Sequence, residues 1–478
     1  MPSSRRRAIG VTRTSLLLAL PLVIYAQSPP PELFSSTSLN RVLALANSTA
    51  TPASWPEYTS TDGQWQLEPE SDWTSGFFPS SLFLLHERTS ALCPRDADGT
   101  DWLSLARTWS AGLYNPSADV LSSWTHDVGF NSLPILDELR INGDNETAKA
   151  QVLANAPDLA SRFSSVVGCT RSWDRGSGDF EVIIDNMVNL QLLVAASTLS
   201  GNSTYLDMAI SHANKTMANH VREDGSSFHV VDYSPTTGEV QWRGTAQGLS
   251  NSSTWSRGQA WGAFGFALMA NETGNADFLE TSRRMSTFFL DALPSGGVPY
   301  WDFNATAPTT LDTSAATIMA SSLLLLSSLE ATLGNETAAA HWSSSAVTLL
   351  SNVVDVAVKP WSGASIMGNG TVNNRADPPN NNTGIVYGDT YFLQAGNWLL
   401  SLGLANCTDG STAQGASPTA LSSTLFSSNG SSSSNQAGGR SGSGEGGSGA
   451  SSGCRRAVEG PAGIAGLVAL VAFGLALL

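Results

Sequence analysis

From about residue 36 to about residue 405 the chain repeats one kind of segment, with apolar residues at helical spacing between short polar connections. The stretches 36–48, 77–89, 101–114, 128–141, 146–166, 185–200, 204–221, 256–270, 275–293, 313–333, 337–355 and 389–405 all read this way. A helix with an apolar stripe must bury it against another element, so about twelve of similar length with short links cannot stay apart. No fixed-period repeat accompanies them. The pattern predicts an all-α fold of paired helices closed into a ring, with an α-solenoid as the alternative. The one clear strand signal, 226–244, alternates through Phe228, Val230 and Val240 around a Ser234-Pro235 turn and predicts a β-hairpin.

Both ends of the 478 residues read as processing signals. Arg5-Arg6-Arg7, the apolar run 15–25 and Ala26 predict a signal peptide over 1–26. Residues 407–453 are Ser/Gly-rich and predict a stalk; 454–478 end in an apolar run that predicts a cleaved glycolipid-anchor signal. The domain is then 27–406, opening on a Pro-rich leader over 27–36. Sequons such as Asn47, Asn145, Asn202 and Asn335 fit an exported glycoprotein, attached to the cell surface through a lipid. Four cysteines allow three pairings, none singled out by spacing, and no CxxC or His-rich metal pattern occurs. A net charge of −16 argues against nucleic acid as partner.

Against that acidity, Arg257 stands out. It lies in Thr254-Trp255-Ser256-Arg257-Gly258-Gln259-Ala260-Trp261, a cation among indoles and glycines. Such a group is either neutralised by a buried carboxylate or kept to grip a substrate carboxylate between sugar-stacking rings. Asp127 and Asp185 each precede a helix and follow apolar or aromatic residues. Helix capping explains an Asp at such a place. Burial beside a second carboxylate would instead raise a pKa into the range of a general acid.

The motifs Asp72-Trp73-Thr74-Ser75-Gly76-Phe77-Phe78, His126-Asp127-Val128-Gly129-Phe130 and Ile184-Asp185-Asn186-Met187-Val188-Asn189 come first. His229-Val230-Val231-Asp232, Ser256-Arg257-Gly258-Gln259-Ala260-Trp261-Gly262, Val298-Pro299-Tyr300-Trp301-Asp302 and Asp312-Thr313-Ser314 follow in order. Together they resemble glycoside hydrolase family 88, the unsaturated glucuronyl hydrolases, over roughly residues 36–405. The resemblance implies an (α/α)6 barrel, a six-hairpin toroid, which agrees with the helix count. It implies oligosaccharide substrates ending in a 4,5-unsaturated uronic acid, hydration of the C4=C5 bond, and no metal or organic cofactor. By motif, Asp185 is the general acid/base and Asp127 its partner carboxylate. Arg257, Trp261, Gln247, His229 and Trp73 fall at substrate-binding positions. One departure is Ala246, where the family commonly has His before Gln-Gly; it bears on what the +1 subsite recognises or on the level of activity, and a glycan on the Asn251 sequon would crowd the mouth of the pocket. An unsaturated rhamnogalacturonyl hydrolase and a non-catalytic glycan-binding protein are the alternatives.

Overall fold

The computed structural model describes residues 27–414 apart from Ser177. The expected signal peptide, the anchor signal and the stalk beyond 414 lie outside the described residues. Helices α1 (Ser36–Ala46), α2 (Phe77–Glu87), α3 (Trp102–Ser110), α4 (Ala118–Ser123), α5 (Val128–Asn131), α6 (Leu133–Ile141) and α7 (Glu146–Ser161) form the first half. The second half holds α8 (Asn186–Ser200), α9 (Ser203–Asn219), α10 (Ser256–Thr273), α11 (Ala276–Asp291), α12 (Thr313–Thr332), α13 (Glu336–Val353) and α14 (Val386–Ser401).

Helices α2, α5–α6, α8, α10, α12 and α14 touch in succession, and α14 returns to α2 to close the inner ring. Outside it, α3, α7, α9, α11 and α13 each pair with the inner helix that precedes them. Helix α1 supplies Arg41, Val42 and Leu45 to a small cavity shared with α2 and α14, where the ring closes. This is the (α/α)6 barrel, not a solenoid. An inner helix is covered on every side and so is buried along its length, as residues 256–270 of α10 are. Helix α12 is long and apolar enough to cross a membrane, yet it is buried as an inner helix.

Helix starts divide the two layers, except that the inner helix α12 is capped by Asp312 as the outer helices are capped. Ser35, Asp101, Asn145, Asn202, Asn275 and Asn335 cap α1, α3, α7, α9, α11 and α13 through their side chains, each contributing about 1 kcal/mol. Of the inner helices, α2, α5, α6, α8, α10 and α14 begin without a side-chain cap. The residues at several of those starts are free for other work.

The expected hairpin is present as β6 (Val230–Tyr233) and β7 (Val240–Gly244), but β5 (Phe180–Ile183) adds a third antiparallel strand. Hairpins β1 (Trp55–Thr59)–β2 (Trp65–Glu68), β3 (Phe163–Ser164)–β4 (Cys169–Thr170) and β8 (Gly370–Asn373)–β9 (Asn380–Thr383) were not legible as strands. They are too short to show alternation.

Two expected boundaries move. The leader is docked: Leu33 is fully buried and its carbonyl accepts from Arg88 at 3.0 Å. At the other end, Cys407 is bonded to Cys93, and the Gln414 N–H donates to the Leu92 carbonyl at 2.8 Å. Residues 407–414 therefore belong to the folded part, not to the stalk. Cys169 is a free, buried thiol.

Candidate active site

Two glycines decide how closely the inner helices approach. A Cβ on Gly129 would lie 2.6 Å from Asn189 Cα, and one on Gly265 would lie 2.4 Å from Met187 Cβ. Real Cβ atoms do not come so near, so only glycine lets α5 and α10 rest on the first turn of α8. The starts of the inner helices consequently gather at one end of the ring. Asp127 immediately precedes α5, Asp185 precedes α8, Arg257 is in the first turn of α10, Asp312 caps α12 and Tyr387 opens α14. The partial positive charge of several helix N-termini faces this place and favours an anionic ligand despite the acidic chain.

Asp127 and Asp185 stand at cap positions and neither caps. Asp185 is 8% exposed, and its Oδ1 has no hydrogen-bond partner. Burial lifts its pKa to about 7, with the nearby Arg257 charge pulling the other way. Asp127 is lifted well above the ordinary carboxylate range, first by burial and then by the charge of Asp185. A bond from Asn189 Nδ2 at 3.4 Å opposes that rise. Asn189 is held in that orientation because its Oδ1 accepts from the Phe130 N–H at 2.7 Å. Two desolvated carboxyls, one of them raised further by the other's charge, are both held above the ordinary carboxylate range.

His229 joins them. It is buried, lies 4.4 Å from the Trp255 ring, and places Nε2 3.7 Å from Asp185 Oδ1. The backbone N–H of Ala246 reaches its Nδ1 at 3.3 Å, so the residue that departs from the family motif still holds the imidazole through the main chain.

Arg257 is engaged within the protein. Its Nη1 donates to Asp312 Oδ2 at 2.9 Å and to the Thr371 carbonyl; its Nη2 donates to Gln247 Oε1 and the Val372 carbonyl, both at 2.7 Å. All four terminal N–H groups are thus taken. Of the two readings open in the sequence, the structure shows the buried ion pair. In this geometry Arg257 positions Gln247 and biases Asp185 and has no terminal N–H free for a substrate carboxylate. Trp261 is likewise corrected: at 0% exposure, with Phe130 at 5.1 Å and Tyr391 at 5.4 Å, it is floor beneath the site and cannot stack on a sugar. Trp73 keeps an open face, half-buried and 5.1 Å from Tyr387.

Three contributors were missed. Tyr387 is buried with its hydroxyl unpartnered, and burial keeps it protonated, so it is a neutral donor at the site. Its signal was weak because residues 386–388 read as loop before α14. Trp173 forms a half-buried wall 6.0 Å from His229, with Arg175 over its ring at 4.0 Å; nothing in its local sequence marks it. Asp312 sits in a quoted motif, and an acid opening an apolar helix was the available clue to Arg257's partner.

No protein-family model matches the chain. It is 36% identical over 340 residues to an unsaturated glucuronyl hydrolase of Formosa agariphila, covering 68% of this chain and 80% of the relative. With the unsaturated glucuronyl hydrolase of Bacillus sp. strain GL1 it shares 34% identity over 282 residues, 57% of this chain and 72% of the relative. A crystal structure of the Bacillus sp. GL1 enzyme, described as responsible for the degradation of glycosaminoglycan, superposes with a TM-score of 0.67 at 29% identity. That superposition covers 76% of this chain and 95% of the other.

Proposed function

The chain belongs to the unsaturated glucuronyl hydrolases, and on that premise we propose that it hydrates the C4=C5 bond of a 4,5-unsaturated uronic acid at the non-reducing end of an oligosaccharide. The observation that carries this reading is the Asp127–Asp185 pair, Asp185 buried and Asp127 partly so, both lifted above the ordinary carboxylate range beside a neutral imidazole. Hydration of an enol ether needs one proton delivered to carbon and one taken from water, and two carboxylates that share a proton supply both. C4 gains the proton, C5 gains the hydroxyl, and the water's second proton goes to a carboxylate. The product at C5 is a hemiketal; its ring opens to a ketone and the sugar at C1 is released. The ring of the uronate rests on Trp73, and Gln247 and Tyr387 donate to its oxygens. The carboxylate is favoured by the converging helix starts.

The reaction is tested with lyase-generated disaccharides of glycosaminoglycan, pectic and glucuronan type, read as loss of the ultraviolet absorbance of the conjugated double bond. Asp185→Asn should fold and lose turnover. Turnover at the wild-type rate in that variant would remove Asp185 from the chemistry, and loss of absorbance confined to a rhamnose-linked substrate would favour rhamnogalacturonyl specificity. We also place the enzyme outside the cell, on a lipid anchor. The expected signal peptide over 1–26, the sequons and the Cys93–Cys407 disulfide support an oxidising compartment. A phosphatidylinositol-specific phospholipase should release it from intact cells, and release by detergent alone would count against the anchor.

A further inference from the structure

The turn before α10 carries Asn251-Ser252-Ser253, an Asn-x-Ser sequon. The fold holds it firmly. The Ser253 N–H donates to the Ser250 carbonyl at 3.0 Å, closing a β-turn with Asn251 and Ser252 at its tip. Asp302, fully buried, accepts from the Leu249 N–H at 2.8 Å and from Ser253 Oγ at 2.6 Å. Arg222 Nη2 donates to the Ser252 and Ser253 carbonyls at 3.2 and 3.1 Å. Only the tip faces solvent. There Asn251 Oδ1 turns inward and accepts from the Thr245 N–H at 3.4 Å. Its Nδ2, the atom to which a sugar is joined, makes no hydrogen bond among the described residues. Thr245 precedes Ala246, whose N–H holds His229, so the tip stands at the edge of the active site.

An indole lies beside that amide. Trp242 is the most exposed of the 14 tryptophans, at 40%. A Cβ placed on Gly244 would lie 2.1 Å from Trp242 Cζ2 and 2.6 Å from Asn251 Oδ1. Residues 242 and 244 share a face of β7, so the ring folds over Gly244 and its benzene edge neighbours the Asn251 amide. Strand β7 is also an outer strand of its three-stranded sheet, and Gln241, Trp242 and Arg243 are all exposed. An open edge that carries a bare indole is a pairing hazard unless something covers it. Leu249, just before the turn, adds a second exposed apolar side chain, at 47%.

We propose that Asn251 carries an N-linked glycan whose first N-acetylglucosamine lies flat on Trp242. In the modification Nδ2 bonds to C1 of the sugar as the C1–O bond to a lipid-pyrophosphate donor breaks. The pyrophosphate leaves with the electron pair, and the amide gives up one proton to the transferase. Oδ1 is untouched, so the bond from Thr245 survives. The unfolded chain is the substrate, because folding buries the Ser253 hydroxyl of the sequon against Asp302. A pyranose presents a face of C–H groups, and the negative face of an aromatic ring receives them. The seated sugar covers the edge of β7 and adds a carbohydrate wall to the entrance near Gln247. The modification depends on the proposed export of the chain, since the donor is met on that route.

The full chain, exported by a eukaryotic secretory host, is the material for the test. Peptide-N-glycosidase in heavy-oxygen water turns each glycosylated asparagine into a labelled aspartate, read by peptide mass spectrometry. Label at 251 supports the proposal, and an unmodified Asn251 overturns it. With Asn47 or Asn202 labelled in the same sample, export stands and the assignment of Asn251 alone fails; with no sequon labelled, export falls with it. Trp242→Ala tests the seat. It should lower the thermal midpoint by several degrees in the glycosylated protein. In Asn251→Asp, which keeps an acceptor for Thr245 and carries no sugar, the same change should leave the midpoint nearly unmoved. Equal shifts in the two backgrounds overturn the stacking. A rise in KM for an unsaturated tetrasaccharide on Trp242→Ala in both backgrounds would put a substrate sugar on the ring, and that also overturns it.

Discussion

Gly265→Ala tests whether the approach of α10 to α8 builds the site. The added methyl would lie 2.4 Å from Met187 Cβ and 2.9 Å from the Met187 carbonyl carbon, where ordinary contact begins near 3.4 Å. Backbone cannot rotate out of the way as a side-chain tip can, so the two helices must part by about 1 Å. Overpacking of that kind costs about 1–3 kcal/mol, and the gain from replacing a mid-helix glycine returns about 0.5–1 kcal/mol. The expected net loss is about 0–2.5 kcal/mol, read from the guanidinium unfolding midpoint. Asp185 lies two residues before Met187, and Arg257 two turns before Gly265, so the separation moves the acid/base pair against its cation. A 1 Å misplacement costs about 100-fold in rate, measured as kcat/KM on an unsaturated disaccharide. Gly296→Ala, with nothing near its Cβ and no positive φ, is the control and should leave both unchanged. Wild-type stability and rate in Gly265→Ala would refute the close-approach argument; lost stability with full activity would refute only its link to the site.

Asp312→Ala strips the buried Arg257 of its partner and should destabilise the fold by about 3–5 kcal/mol, read by denaturant unfolding. Reducing Cys93–Cys407 opens a link between residues 314 apart and should lower stability by about 6 kcal/mol on chain-entropy grounds; an unchanged midpoint under reductant would show that the closing helix α14 suffices. Activity depends on the charge state of Asp185, lifted to about 7 by burial against the pull of Arg257, so the rate should change as pH passes through about 7. Arg257→Gln should shift that limb to higher pH, and an unmoved limb would disconnect the two groups. Trp73→Ala should raise KM with the fold intact, whereas Trp261→Ala should cost about 3–5 kcal/mol of stability as a core truncation. The reverse pattern would exchange floor and wall.

Much of this was readable from local pattern. Every long helix was found because amphipathic spacing is a property of neighbouring residues, and Ser36 and Asn186 start helices where the sequence placed them. The hairpin at Val230 and Val240 was visible for the same reason, but its partner Phe180–Ile183 was not. That strand is 50 residues away and looks like a short apolar run. Asp127 and Asp185 were found as carboxylates in apolar settings; that both leave their helix ends uncapped needed coordinates. The misreadings of Arg257 and Trp261 share a cause. Residue type says what a guanidinium or an indole can do, and only its neighbours say whether it is free to do it.

The sequence by itself determined a long, mainly helical chain, one β-hairpin and the ordered motifs that mark the family, because each is written in residues close along the chain. Tertiary structure alone decided that six inner helix starts meet at one end, through contacts such as Gly129 on Asn189 and Gly265 on Met187. It also decided that each carboxylate has a buried imidazole beside it, His126 Nε2 3.3 Å from Asp127 and His229 Nε2 3.7 Å from Asp185. Those placements depend on the Ser172 carbonyl and the Ala246 N–H, backbone groups that only folding aims.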